Sequence, residues 1–189
     1  MRGEFRVHPT ATPLTFRYKT HRCIFHFFFF AVFYLGLSHS MLAQSQQAYL
    51  AQELAQVGAV QFTASSYKPG RVKHIVLFRY APDVSIAQKK AVVKSFMALK
   101  GSKRGNKPYI EAIEAGEQSS GEGVDGGYAQ GFVVTFCSEG DRNYYVGAPL
   151  VSDPMYADPA HAEFKALVAP LLAKEQGVLV FDFTVSFEE

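Results

Sequence analysis

The sequence predicts an α+β domain of order β-α-β-β-α-β behind an N-terminal segment of different character. Three observations predict it. Apolar runs rich in β-branched and aromatic residues recur at 71–80, 127–138 and 177–189, with a weaker alternating run at 109–117. Two stretches of helical spacing fall after the runs at 71–80 and 127–138, the first of them opening on a capping box. Gly- and Pro-rich clusters separate the elements.

RVKHIVLFRY (71–80) alternates His74, Val76 and Phe78 against Lys73, Ile75, Leu77 and Arg79, and Ala81-Pro82-Asp83 closes it. Both sets are partly apolar, so both faces of the sheet require cover. Ser85 with Gln88 three positions on forms a capping box, and Ala91, Val92, Ser95, Phe96 and Leu99 carry the helix to Gly101. A basic loop, KGSKRGNKP, leads to YIEAIEAGE (109–117), which alternates Ile110, Ala112 and Glu114 against Tyr109, Glu111, Ile113 and Ala115. SSGEGVDGG is a turn without the lysine and serine order of a phosphate loop. GYAQGFVVTFCS (127–138) is the clearest strand and is expected at the centre of the sheet. A helical turn over 141–146 and a Pro-rich loop follow, then a helix marked by Ala160, Phe164, Leu167, Val168 and Leu171, with Pro170 near its end. The last strand has a bulky face of Leu179, Phe181, Phe183, Val185 and Phe187. This order is the ferredoxin-like one, a four-stranded antiparallel sheet with helices on one face. Its bare face is most simply hidden by pairing two sheets into a dimeric α/β barrel across a twofold axis.

The chain has 189 residues, 48% hydrophobic and 19% charged, which suits one domain with an appendage. Five basic residues (Arg2, Arg6, Arg17, Lys19, Arg22) and one acid, Glu4, precede residue 44, so the remainder carries 14 basic against 16 acidic side chains despite an overall charge of +2. That balance argues against nucleic acid as a partner. Cys23 and Cys137 cannot build a disulfide framework or a cysteine zinc site.

Cys23 to Leu37, CIFHFFFFAVFYLGL, is a 15-residue apolar run broken by His26, with Arg17, Lys19, His21 and Arg22 before it and polar residues after it. Residues 1–43 therefore read as a secretory signal cleaved after Ala43, giving a periplasmic or secreted protein with no membrane contact once the leader is gone. The run falls short of the roughly 20 apolar residues of a membrane span, so an anchor over 23–43 is the alternative. Initiation at Met41 is another. Residues 44–70 are expected to form a linker with a short helix striped by Tyr49, Leu50, Leu54 and Val57, and 71–189 the folded domain.

VKHIVLF (72–78), EAGE (114–117), GYAQGFVVTF (127–136), DPAHAEF (158–164) and LVFDF (179–183) together resemble the stress-responsive dimeric α/β-barrel (Dabb) family over about 119 residues. The resemblance implies ferredoxin-like subunits paired as a homodimer. In the family's polyketide-cyclase branch two histidines and a tyrosine surround a closed pocket, and the histidines fall on His74 and His161. The chain departs from that branch elsewhere. Met155 stands six positions before His161, with Tyr156 one place out of register, and Asp158 replaces the first histidine of the block.

His161 follows Asp158-Pro159 at a helix start, where N–H groups favour a neutral imidazole able to act as general base. The competing reading has it hydrogen-bonded to Asp158 or the loop. His74 shares a strand face with Val76 and Phe78, which makes it either an orienting partner for His161 or a core residue, and makes Val76 and Phe78 the expected pocket walls. Tyr156 is the candidate acid, with Tyr144 and Tyr145 as rivals. Asp182 is expected to anchor an ion pair or hydrogen bond. Asp153, Asp158, His161 and Glu163 have ligand chemistry but an exposed-loop setting, so no metal is expected, nor any cofactor. Three functions follow. The first is an exported homodimer binding a small apolar or aromatic molecule between sheet and helices; the second is a general-base enzyme of polyketide-cyclase type using His161, His74 and Tyr156; the third is a structural, stress-protective oligomer whose interior is filled by Phe side chains. A cavity lined by both histidines favours the first two, and side chains packed between the imidazoles favour the third.

Overall fold

The computed structural model describes residues 46–186. The signal, the anchor alternative over 23–43 and Phe187 fall outside the described residues. Helix α1 occupies residues 46–62, so the expected linker is mostly one regular helix. Leu50, Leu54 and Phe62 pack inward with Tyr67 and Val151, while Tyr49 and Val57, expected in the stripe, are exposed. The inward set is spaced four and then eight residues apart, skipping the exposed Gly58, and ends on a Phe outside the predicted stripe. Two side chains hold the end of α1: Asn143 Nδ2 donates to the Phe62 carbonyl at 2.8 Å and Arg104 Nη1 to the Thr63 carbonyl at 2.5 Å.

Strand β1 is Pro69–Phe78, two residues earlier at each end than predicted, because Arg79 and Tyr80 turn away to bond the segment before the last strand. Helix α2, Ile86–Ala98, has the predicted capping box and continues as a 3-10 turn to Gly101. The basic loop contains a small hairpin of β2, Lys103–Arg104, and β3, Lys107–Pro108; Gly105 and Asn106 both have positive φ, as a tight two-residue turn requires. Strand β4, Ile110–Glu117, contains a bulge between Ile110 and Ala112. The extra residue puts Ile110 and Ile113 both into the core, so simple alternation fails there. Strand β5 is Gln130–Ser138 and helix α3 is Glu139–Val146, capped by Ser138 Oγ. A 3-10 turn at Pro154–Tyr156 precedes α4, Pro159–Val168; Pro170 lies in the 3-10 turn that ends this helix, and Leu167 faces solvent. Strand β6 is Val178–Thr184.

The sheet order is β4-β5-β1-β6, antiparallel throughout, with β5 and β1 central. This is the expected ferredoxin-like subunit. On one face His74, Val76 and Phe78 of β1 and Phe132, Val134 and Phe136 of β5 are buried with Val92 and Phe96 of α2, Tyr144 and Tyr145 of α3, and Phe164 and Val168 of α4. Phe96 stacks on Phe132 with ring centroids 3.8 Å apart. On the other face Ile75 pairs with both Val133 and Phe181, Leu77 with Leu179, and Lys73 with Phe183, and among the described residues no helix covers them.

Candidate functional site

β1 sets His74 directly across from Asp182 of β6, and His74 Nδ1 lies 2.6 Å from Asp182 Oδ1. A carboxylate only accepts, so Nδ1 carries the proton. The second oxygen, Oδ2, accepts from Arg142 Nη1 of α3 at 2.6 Å, and Arg142 Nε donates to Asn143 Oδ1 at 2.9 Å. Burial by itself would raise the Asp182 pKa, but the hydrogen bonds and charges of His74 and Arg142 outweigh it and hold the carboxyl below its ordinary value. Helix α1 closes over this end: Leu50 and Phe62 line a small cavity of about 90 Å³ with Arg142 and Asp182.

His161 is the third residue of α4, and its Nδ1 lies 2.6 Å from the Tyr145 carbonyl oxygen, which again fixes the proton on Nδ1. Its ring stacks on the Tyr145 ring at 3.8 Å between centroids, while His74 meets the same ring edge-on at 5.5 Å. Tyr145 therefore packs against both imidazoles. Burial pushes the His161 pKa down to about 3, with the charges of Lys165 and His74 adding to it and the carbonyl hydrogen bond opposing it. Desolvation is the main cause, rather than the helix terminus invoked from sequence. The Tyr145 hydroxyl is buried without a hydrogen-bond partner, and burial raises its pKa strongly.

Asp158, in the place of the family's first histidine, caps α4 by accepting from the Ala160 N–H at 2.9 Å and also accepts from the Tyr109 hydroxyl. Its position is buried, which a carboxylate tolerates because both oxygens are engaged. Thus His74 and His161 come together on Tyr145, and Tyr156 does not join them. Tyr156 packs instead with Phe62, Tyr67 and Val151 beneath α1. Val76 and Phe78 are core residues, Phe78 lying among the rings of Tyr80, Phe96, Phe132 and Phe164. Sequence reasoning foresaw a bonded Asp182 but missed Arg142, whose partner lies 40 positions away. It ranked Tyr145 only as a rival of Tyr156.

Neither histidine lines the two larger concavities formed among the described residues. One of about 460 Å³ lies on the open sheet face over Ile75, Leu77, Gly131 and Val133, with Glu114, Asp125 and Tyr128 among its other lining residues. Another, of about 480 Å³, lies between α2 and the ends of β4 and β5. Among the described residues no group of three or more His, Cys, Asp or Glu side chains is placed to hold a metal ion, and no helix is long and apolar enough to cross a membrane.

Fold and site together define a ferredoxin-like α+β subunit with an aromatic core, a buried His-Asp-Arg network and an open apolar sheet face. The chain belongs to the stress responsive A/B barrel domain family, whose profile matches residues 72–185. Curated protein sequences give no significant match. Among solved structures it is similar to an Arabidopsis thaliana protein at 25% identity, covering 62% of this chain and 98% of that one with a TM-score of 0.49. It is similar also to a hydroxynitrile lyase from Passiflora edulis, at 20% identity, 64% and 98% coverage and a TM-score of 0.49. A dimeric ferredoxin-like protein of unknown function from Jannaschia sp. shares 19% identity over 61% of this chain and 100% of that one, with a TM-score of 0.47.

Proposed function

We propose that the protein is an exported, homodimeric stress-response barrel, and that the dimer encloses a small apolar or aromatic molecule between its two sheets. The open sheet face carries this reading: Ile75, Leu77, Val133, Leu179, Phe181 and Phe183 share it, and Phe181 is 58% exposed in one subunit. Covering several hundred Å² of such surface per subunit supplies on the order of 10 kcal/mol at about 25 cal/mol per Å², before association costs. The concavity over Ile75 and Val133 then becomes the compartment. The space between sheet and helices, where the ligand is expected from sequence, is filled by Tyr145 and the Phe cluster, so the cyclase-type enzyme has less support than the binding dimer. The same filling favours the structural oligomer over an enzyme, and a bound molecule separates the remaining two.

Sedimentation of the wild type and of Phe181→Asp tests the dimer: a twofold mass that falls to the protomer mass in the variant is expected, and a wild-type monomer at micromolar concentration overturns it. Native mass spectrometry of protein purified from its host tests the ligand. A retained small molecule supports binding; a bare dimer leaves the structural oligomer as the better reading. Intact mass in the same experiment tests export, with an N-terminus near Gln44 expected and a soluble cytosolic species beginning at Met1 overturning it.

A further inference from the structure

We propose a second binding site, for a monocarboxylic acid with an apolar body, in the cleft between α2 and the ends of β4 and β5. It goes beyond the barrel reading and does not depend on it, since it lies on the helix side of the sheet. The cleft holds about 480 Å³ and is lined by Ile86 and Val93 of α2, Ala115 of β4 and Ala129 before β5, with Tyr80, Lys89, Lys90 and Glu117 as its charged or hydroxylic members. That volume lies within the range of small-molecule sites, as does the combination of an apolar wall with few polar groups.

Tyr80 points to a ligand. Its side chain is more than nine-tenths buried, it lines the cleft, and its hydroxyl has no hydrogen-bond partner. A buried hydroxyl without a partner is uncommon in a folded chain. The phenol stays a proton donor, because burial raises its pKa to about 12. Lys89 Nζ stands over the Tyr80 ring, 5.3 Å from its centroid, so an ammonium lies at the face of the ring that carries the unpartnered hydroxyl. Two ammonium groups against the single Glu117 carboxylate leave a net positive rim, which selects an anion. The apolar remainder, including the exposed Ile86, selects a molecule whose charge is confined to one end. An aliphatic or aryl carboxylate meets all three conditions, whereas a neutral alcohol can accept from the phenol and fit the apolar wall but brings no charge to the lysines.

Titration of the full chain with octanoate and with benzoate, followed by amide NMR shifts and calorimetry, tests this site. Saturable binding with shifts concentrated on α2, Tyr80 and Ala129 is expected, with octanamide at least about tenfold weaker for loss of the charge-assisted bonds. Tyr80→Phe, nearly isosteric, and Lys89→Met, which keeps the apolar stem over the ring, should each weaken octanoate about fivefold to tenfold at an unchanged melting temperature. Phe181→Asp should leave the affinity unchanged, so failure of the dimer and failure of this site are told apart. Absence of saturation at millimolar octanoate and benzoate overturns the proposal, as do equal affinity for octanamide or shifts confined to the open sheet face.

Discussion

On the helix side of the sheet, Val72, His74, Val76 and Phe78 of β1 are all buried, whereas their chain neighbours Ile75 and Leu77, on the other side, are only half-buried beside exposed Leu179, Phe181 and Phe183. The two faces differ little in hydropathy and greatly in cover. A pleated strand assigns each residue to a face by its period of two, but which face is sealed depends on where the helices land. The sealed face also tolerates polar groups when they are paired, as His74, Asp182 and Arg142 are, while the open face sets Ile75, Leu77 and Phe181 beside Lys73, Glu114 and Asp125. The first teaches how this subunit folds; the second, what it still has to meet.

The largest expected effect breaks the sealed face. Phe96→Ala removes a ring stacked on Phe132 and in edge contact with Phe164, and should cost about 3–5 kcal/mol in urea unfolding. Phe181→Ala should cost less than about 1 kcal/mol when measured below the concentration at which the proposed dimer would form, and more above it, where assembly and folding would be linked. Equal losses at every concentration would mean that the two faces do not differ as described.

The next effect tests the polar groups of the sealed face. Asp182→Asn leaves Arg142 without its close carboxylate and removes the anionic acceptor of the His74 Nδ1–H. Partial exposure of Asp182 tempers the cost of a fully buried pair, giving about 2 kcal/mol. Glu111→Gln, which breaks the exposed pair with Arg71, should cost no more than about 1 kcal/mol. Urea midpoints of the two variants in low salt give the comparison, and a larger loss for Glu111→Gln would overturn it.

What the sequence made legible follows the same division. Strand β1 could be read face by face because its side chains alternate without interruption, and α2 because Ser85 and Gln88 mark its start. The bulge of β4 could not be read, since one inserted residue changes the phase without leaving a compositional mark. The length of α1 was hidden because its inward residues are few and its Gln and Ala residues suit a linker equally well. At the site, His74 and His161 were legible as side chains of uncommon chemistry on apolar elements. Arg142 was not, because a lone arginine in EGDRNYYV looks like any solvated helix residue until folding brings β6 beside it. From sequence Tyr156 is the candidate acid because it stands one place from the family's tyrosine position, with Tyr145 no less plausible, but the 3-10 turn at 154–156 directs it to the α1 cluster instead.

His161 offers a pH test of how well the sealed face excludes water. Its folded pKa of about 3 lies below its ordinary value of 6.5, so between those values the unfolded chain binds a proton that the folded chain refuses. The stabilising contribution is therefore complete above pH 6.5 and is lost as pH falls toward 3, at a slope of at most about 1.4 kcal/mol per pH unit. Asp182, whose pKa is also lowered, adds a further loss only below its ordinary 3.8. Urea unfolding at intervals from pH 7.5 to 4 should show the slope in the wild type and a flatter line in His161→Gln, with slopes rather than absolute stabilities compared. An unchanged slope would place water at the imidazole.

The smallest effect carries the most information about the space between the histidines. Tyr145 presents both faces of the question at once: its ring contacts His74, Phe136 and His161, and its hydroxyl is buried without a partner. A buried hydroxyl left unpaired has lost its hydration and gained nothing for it, whereas a phenyl ring of the same shape loses nothing on burial. Tyr145→Phe should therefore leave stability unchanged or raise it by up to about 1 kcal/mol, because the ring contacts survive and only the stranded oxygen is removed. The opposite sign, a loss of 1 kcal/mol or more in urea unfolding of protein purified from its host, would mean that the hydroxyl has a partner in solution. The region between sheet and helices would then be a place where something binds, and the distinction between a sealed face and an open one would have to be redrawn around Tyr145.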